Sequence, residues 1–468
     1  MTETRPSNDH AQKYRSERDE PPLVAEPVCE VGDRPPAFSD EALALRFAER
    51  HATTLRFVAG WNRWMEWDSK CWRRDDTLAA FDLARAVCRA AAAECNNPKE
   101  AGAVASAKTV AAVERLARSD RRLAATVDQW DADPMLLNTP EGVIDLSDGQ
   151  LRAHRADDYL TRITAVSPGG SCPTFLAFLD RITAGDAELI AYLRRIFGYS
   201  LTGLTRDHAL FFAHGTGANG KSVLLGTVSR ILGAYAKSAP VEAFLASKGD
   251  RIPNDIAGLR GARFVTSIET DEGKRWAEAR VKQLTGGDVV TARFMRAEWF
   301  EFTPTFKLLL AGNHRPALTN VDEAMRRRIQ MIPFSVTIPP AERDPRLSEK
   351  LEAEWPGILA WMIGGCAEWQ SVGLLPPTVI VAATNAYLTA EDTVRTWAAD
   401  CLVADRSAWL SSSDLFRSWG AWATRAGEPV GSQKALSAKL LERGWNKRDT
   451  RVGKGFMGYR FVEPGDTA

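Results

Sequence analysis

Apolar positions recur every three to four residues from Ser39 onward, where Ser39-Asp40-Glu41 precedes Ala42, Leu43, Leu45 and Phe47 in the manner of a helix start. The same period predicts Ala-rich amphipathic helices from about Thr77 to Glu94 and from Glu100 to Thr126, and further helix from Thr174 to about Thr202. Asn138-Thr139-Pro140-Glu141-Gly142 is a turn cluster, and Gly142 to Leu146 reads as a short strand entering the Ser147-Asp148-Gly149 turn. Between His208 and Phe334 the texture changes. Short apolar runs (Leu210 to Ala213, Arg263 to Ile268, Phe306 to Ala311, Ile329 to Phe334) alternate with helical segments, which predicts a βα core with a largely parallel sheet. Helical character returns from Ala341 to Gln370, and Pro376-Pro377 marks a boundary before a last small module.

Composition adds limits. With 468 residues, 45% apolar and 26% charged, the chain matches a soluble globular protein of roughly three domains. Sixty basic residues cancel sixty acidic ones, which excludes a polybasic protein but leaves local patches open. The longest uncharged apolar stretches, such as Gly357 to Ala367, fall well short of the roughly 20 residues that cross a bilayer, so no membrane partner is expected. Met1-Thr2-Glu3-Thr4-Arg5 opens no apolar run, and seven scattered cysteines form no CxxC pair. Both point to the reducing cytoplasm rather than to a disulfide framework or zinc ribbon. Residues 1–38, rich in Pro, charge and Ser, are expected to be a disordered tail.

Gly215-Thr216-Gly217-Ala218-Asn219-Gly220-Lys221-Ser222 fits GxxxxGK[ST], follows an apolar strand and precedes an apolar helix ended by Gly233. Glycines let backbone N–H groups curl around phosphates, with the helix N-terminus facing the negative charge. Lys221 would contact the β- and γ-phosphates and the Ser222 hydroxyl would hold Mg²⁺. The loop alone does not separate a kinase, a GTPase, a helicase or a transporter ATPase.

Other residues narrow the choice. Glu269 ends an apolar strand, where an acid orients Mg²⁺ or the attacking water, with Asp271 and Glu272 close by to share the role. A solvated strand-end carboxylate is the alternative. Asn313 ends a third strand and would hydrogen-bond the γ-phosphate and water, or simply favour the turn before His314-Arg315-Pro316. Arg326-Arg327-Arg328 lie on a predicted helix from Asp322. One arginine would reach a neighbouring subunit's γ-phosphate as a trans finger, against the alternative of surface salt bridging. Successive helical residues diverge, so at most two can share that role.

The order of phosphate loop, strand-end Glu269, Lys282-Gln283-Leu284-Thr285-Gly286-Gly287-Asp288, Asn313-His314-x-Pro316 and Arg327 to Phe334 resembles the superfamily 3 helicases. It is most similar to the helicase part of phage, plasmid and poxvirus primase–helicases. Leu136 to Leu146 and Phe197 to Gly203 resemble the helical region that precedes the helicase there. The resemblance implies a P-loop AAA+-type ATPase core, ATP and Mg²⁺ as ligands, and a homo-hexameric ring. Lys221, Ser222, Glu269 and Asn313 would come from one subunit and Arg327 or Arg328 from the next. It further implies 3′ to 5′ movement on single-stranded and forked DNA and a hairpin over residues 289–302 lining a pore. There Arg293 and Arg296, with Lys282 in the motif ahead of the hairpin, would track phosphates and Phe294 would touch bases; ordinary exposed surface is the alternative. Relatives carry a primase domain ahead of the helicase. The short upstream region here implies a separate primase as partner, and Asp131-Ala132-Asp133 reads as a turn rather than a metal pair.

Beyond Pro377, Ser411 and Ser432 predict caps of two helices, and Gly453 to Val462 a β-hairpin wing. From Lys434 to Arg460, eight basic residues stand against two acidic ones, a local excess of six. Lys434, Lys439, Lys447 and Arg448 are the candidate duplex contacts, with a protein-docking wing as the alternative. The Trp61 to Trp72 cluster reads as small-core packing, with base stacking as the lesser alternative. The expected organisation is an α/β chain: tail 1–38, a mainly helical region 39–205, an ATPase core 206–372 and a winged-helix-like module 373–468. The expected function is an ATP-dependent replicative DNA helicase of a phage, prophage or plasmid. An AAA+ initiator or assembly switch without processive unwinding is the rival.

Overall fold

The structure, a computed structural model, describes residues 35–246, 254–268, 273–295, 298–318, 321–451 and 453–463. It divides into two compact units, one of residues 35–66 and 74–125, the other of residues 67–73 and 126–463. The helical region expected over 39–205 is thus split after position 125.

In the first unit, Ser39 caps helix Asp40–His51 by accepting from the Ala42 N–H at 3.2 Å. Helix Ala79–Glu94 follows. The single helix expected from Glu100 to Thr126 is instead two, Pro98–Val104 and Ala107–Ala117, because the Ser106 hydroxyl accepts from the Thr109 N–H and restarts the helix. Leu43, Phe47, Val87, Val110 and Val113 form the core. Strands Leu55–Val58 and Arg63–Trp67 pair antiparallel, and Ala124–Ala125 joins in parallel. Trp64 is buried edge-on to Phe57 and donates to Glu114 at 2.6 Å, so it is spent on packing.

In the second unit, strands Leu136–Thr139, Gly142–Asp145 and Gln150–Arg152 make an antiparallel meander. Trp72 packs edge-on to Trp130 and stacks on Tyr159. Asp131 accepts from the Thr161 N–H and hydroxyl, and Asp133 from the Met135 N–H, so both aspartates serve turns.

The centre is a five-stranded parallel sheet in the order Ile329–Pro333, Leu210–His214, Lys307–Gly312, Phe264–Ile268, Ala236–Ser238. Both faces are covered, which is why four of these strands read as largely apolar runs; the edge strand Ala236–Ser238, half-buried to exposed, was not expected. Phe211, Leu309 and Ile332 face one core with helices Pro173–Thr183, Ala187–Tyr199, Lys221–Leu232 and Trp355–Val372. Leu210, Phe212, Leu308 and Leu310 face the other, with Val281, Leu284 and Met325. The helices before position 206 therefore share the sheet's own core. Two buried cations reinforce this. Arg263 donates to the carbonyls of Leu201 (2.6 Å) and Leu136 (2.9 Å), and Lys307 donates to those of Thr202 and Leu204 while lying over the Tyr199 ring. Burial without a carboxylate partner pushes the Lys307 pKa well down.

Helix Thr378–Glu391 also belongs with the sheet: Tyr387 and Leu388 are in its core, and the Tyr387 hydroxyl bonds Trp276 and Pro316. Helix Thr393–Cys401 follows it. Strand Leu402–Ser411, helices Ser412–Ala426 and Gln433–Glu442, and strands Lys447–Thr450 and Gly453–Phe461 follow. The expected caps are present, Ser411 to the Asp414 N–H and Ser432 to the Ala435 N–H. The strands form an antiparallel sheet with Gly453–Phe461 in the middle. Among the described residues no helix is long and apolar enough to cross a membrane.

Candidate nucleotide and nucleic-acid sites

The loop 215–222 leaves strand Leu210–His214, central between two parallel neighbours, and enters helix Lys221–Leu232. Its glycines are required where they stand. A Cβ on Gly215 would lie 2.2 Å from the Phe334 carbonyl oxygen. Gly220 has φ +81°, and a Cβ there would lie 2.6 Å from Ile182 Cγ2. The segment after strand Ile329–Pro333 braces the loop from behind. Asn219 Nδ2 donates to the Phe334 carbonyl at 3.2 Å, and the Ile338 N–H donates to the Ala218 carbonyl at 2.8 Å.

Residues 217–223 line a cavity of about 480 Å³ together with Ile268, Ala311, Gly312 and Asn313. Lys221 is 6% exposed. Its Nζ donates to the Gly215 carbonyl and Asn219 Oδ1, both at 2.9 Å, and to Asn313 Oδ1 at 3.5 Å. Burial lowers its pKa. The three acceptors are neutral oxygens, so a neighbouring anion would find this cation unneutralised. Burial, then the charges of Arg315 and Lys221, also lowers the pKa of His214 and keeps the ring neutral at pH 7. Ser222 is exposed at the helix start.

Strand register places the neighbours. Gly312 lies opposite His214, which brings Asn313 beside the start of the loop, and Ile268 lies opposite Ala311. Glu269, Asp271 and Glu272 lie outside the described residues, as does Arg296. Among the described residues no cluster of His, Cys, Asp or Glu is arranged to hold a metal by itself. The donor set here is that of an anion site with one hydroxyl ligand, Ser222, for a cation brought with the anion.

A second, largely apolar cavity of about 530 Å³ adjoins the loop at Ala218, Gly220 and Val223. Phe178, Ile338 and Leu347 line it. Of its rim charges, Arg181 pairs with Glu342 at 2.8 Å and Asp344 with Lys350 at 2.6 Å, while Arg343 donates to the Ile338 carbonyl. Sequence reading missed these residues. They come from the helix before the sheet and the segment after it, and no local pattern links them to the loop.

The three consecutive arginines take different directions. Arg328 is buried, donating to Thr285 Oγ1 (3.2 Å) and the Ala324 carbonyl (2.9 Å). Arg326 pairs with Asp392 at 3.6 Å. Arg327 is exposed. The expected helix from Asp322 is one short turn, Glu323–Arg326, capped by Asp322.

The expected hairpin is present, with Val290–Ala292 pairing antiparallel with Phe300–Phe302. Arg293 lies 4.5 Å over the Trp299 ring and Phe294 stacks on Phe300, while Phe294, Met295 and Trp299 are about half or more exposed (49%, 68% and 54%). Lys282 is ion-paired with Asp322 and ties the segment before the hairpin to the arginine turn. In the last module Lys434, Lys447, Arg448, Arg451 and Lys454 are exposed and Lys439 is half-buried.

Two family models match the chain: "D5 N terminal like" over residues 44–184, and a "Family of unknown function" over residues 213–328. A protein of Acanthamoeba polyphaga mimivirus named "Putative helicase L207/L206" is 26% identical over 58% of this chain and 31% of its own length. "Putative helicase 022R" of Frog virus 3 is 25% identical over 58% of this chain and 30% of its own. The chain thus spans about a third of the length of these curated relatives. Among solved structures, the apo C-terminal region of NrS-1 superposes with a TM-score of 0.50 at 11% identity, covering 91% of this chain and all of that one, a likeness of fold.

Proposed function

We propose that the chain belongs to the phage and viral primase–helicase family and that it is an ATP-dependent DNA helicase with an AAA+-type core. The observation that carries the reading is Lys221, a buried cation with only neutral oxygens as partners, set in a glycine cradle at the mouth of a cavity. The backbone N–H groups of 217–222 would hold the α- and β-phosphates, and Lys221 would turn from its neutral acceptors to the β- and γ-phosphates. Ser222, with Glu269, would hold Mg²⁺, which supplies charge neutralisation at the transferring phosphoryl group when bound. Asn313 would orient the attacking water. The apolar cavity beside Phe178, Ile338 and Leu347 suits the base.

Arg327, exposed between two tethered arginines, is the better candidate for a trans finger in a ring, in which six copies are expected. Arg328 is buried and spends two of its donors on Thr285 and Ala324 within the chain. Arg293 and Phe294 at the hairpin tip would meet single-stranded DNA, with Arg296 as a further phosphate contact. The order helix–strand–helix–helix–strand–strand of the last module supports a winged helix. Its exposed Lys434, Lys447 and Arg448, with Lys439, would meet duplex DNA at a fork. A separate primase would supply primers.

Steady-state ATP hydrolysis with and without single-stranded DNA, wild type beside Glu269→Gln, tests the reading. Stimulation by DNA that disappears in the variant is expected. A variant that turns over like wild type overturns the assignment of Glu269, and a wild type without hydrolysis overturns the whole reading.

A further inference from the structure

We infer that Asp392 is a positioning residue that couples the C-terminal module to the arginine turn, which opens strand Ile329–Pro333 at the end of the sheet away from the phosphate loop. The inference rests on the function proposed above and deepens it.

Asp392 is nearly buried, 4% exposed. It caps the first helix of the module by accepting from the Arg395 N–H at 3.2 Å. Its carboxylate is shared by two guanidinium groups, one at each oxygen. Arg443 Nη2 donates to Oδ1 at 2.7 Å, and Arg326 Nη2 stands 3.6 Å from Oδ2. Arg443 closes helix Gln433–Glu442, which carries Lys434 and Lys439, the candidate duplex contacts. Arg326 precedes the exposed Arg327 in the chain. On the far side of that residue, Arg328 bonds Thr285, at the end of the helix that leads to the hairpin, and Lys282 of the same helix pairs with Asp322.

Arg327 is therefore anchored on both flanks, and each anchor leads to a different candidate DNA element. A second ion pair runs the same way: Arg275 meets Glu428, in the turn between the module's two long helices, at 3.6 Å. A buried carboxylate between two cations holds its geometry tightly, since loss of either partner leaves an uncompensated charge. A shift of the helix that carries Lys434 and Lys439 would thus reach Arg326, and through it Arg327, by one carboxylate.

The test uses the full chain and measures kcat and KM for ATP with and without forked DNA, DNA affinity, and melting temperature. Asp392→Asn keeps the cap, since Asn and Asp serve equally there, but removes the shared charge. Arg326→Gln breaks only the arm to the core and leaves the Asp392–Arg443 pair intact, so it decides the matter if the first variant folds poorly. The expected result is a drop of about five- to tenfold in the ratio of DNA-stimulated to basal kcat in both, within the usual range of coupling between sites. KM and DNA affinity stay within about twofold, and Asp392→Asn keeps its basal kcat. An unchanged ratio in Arg326→Gln, or a ratio that falls only in step with lost DNA affinity, overturns the inference. A wild type that lacks hydrolysis or ignores DNA is seen before any variant is made, and removes the reading of the site and the coupling with it.

Discussion

Replacing Lys221 by methionine separates a ligand-binding lysine from a structural one. In the free protein its ammonium is buried among neutral oxygens at 2.9, 2.9 and 3.5 Å, with burial disfavouring the charge. Methionine has similar length and no charge to desolvate, while Asn219 Oδ1 and Asn313 Oδ1 can turn to water in the open cavity. The fold should therefore melt at the same temperature or slightly higher. Nucleotide binding should suffer in the opposite sense. Two charge-assisted hydrogen bonds to phosphate, at about 1.5–3 kcal/mol each, amount to roughly 3–6 kcal/mol, or about 10²- to 10⁴-fold in affinity.

Titration calorimetry with Mg²⁺ and a non-hydrolysed ATP analogue, beside thermal melts of the free protein, reads both. Affinity within about threefold of wild type would refute the role. A large fall in melting temperature would instead make Lys221 a structural residue. The pH dependence has a definite sign. The folded pKa lies below the unfolded 10.5, so the charged lysine costs the free fold stability at neutral pH. That cost is relieved as pH rises through the depressed pKa. Bound phosphates favour the ammonium, so nucleotide affinity should fall over that same alkaline range.

Three further outcomes follow from particular contacts. Gly220→Ala meets both a positive φ of +81° and Ile182 at 2.6 Å, whereas Gly217→Ala, at φ +98°, meets nothing within 4 Å. The first should cost about 2–5 kcal/mol and the second only the backbone part, about 1–2 kcal/mol, and equal melting temperatures would contradict the close packing. Arg327→Ala should abolish hydrolysis alone yet regain part of it when mixed with a Lys221 variant, since each supplies what the other lacks; no recovery at any ratio would remove the trans finger. Arg293→Ala with Phe294→Ala should keep basal hydrolysis and lose at least about tenfold of the response to single-stranded DNA, read in the same steady-state assay.

Much of the fold was legible because its signals are local. Four of the five strands of the parallel sheet are largely apolar runs, while the edge strand Ala236–Ser238 carries no such signal, and Ser39, Ser411 and Ser432 announce their caps by residue type and position. The split at Ser106 was equally local but was overrun by a long Ala-rich stretch of good helix formers. Boundaries at 205 and 372 were placed by texture. The structure sets packing against that: Tyr199 and Tyr387 are buried in the cores on either face of the sheet. The loop itself carried its own geometry, since GxxxxGK[ST] demands those φ angles wherever it occurs. What supports it from behind, Phe334 and Ile338, could not be read, because a backbone carbonyl or N–H is supplied by any residue. The arginines show the same limit. The resemblance narrowed three identical side chains to Arg327 or Arg328 without ranking the two, and only the separate partners, Asp392 for Arg326 and Thr285 for Arg328, distinguish them.

The measurement closest to the central claim is strand displacement from a labelled fork, with ATP and with a non-hydrolysed analogue. The account predicts displacement with ATP only, abolished in the Lys221 variant. Hydrolysis stimulated by DNA while the fork stays annealed would contradict a helicase and leave an ATP-dependent assembly switch on DNA.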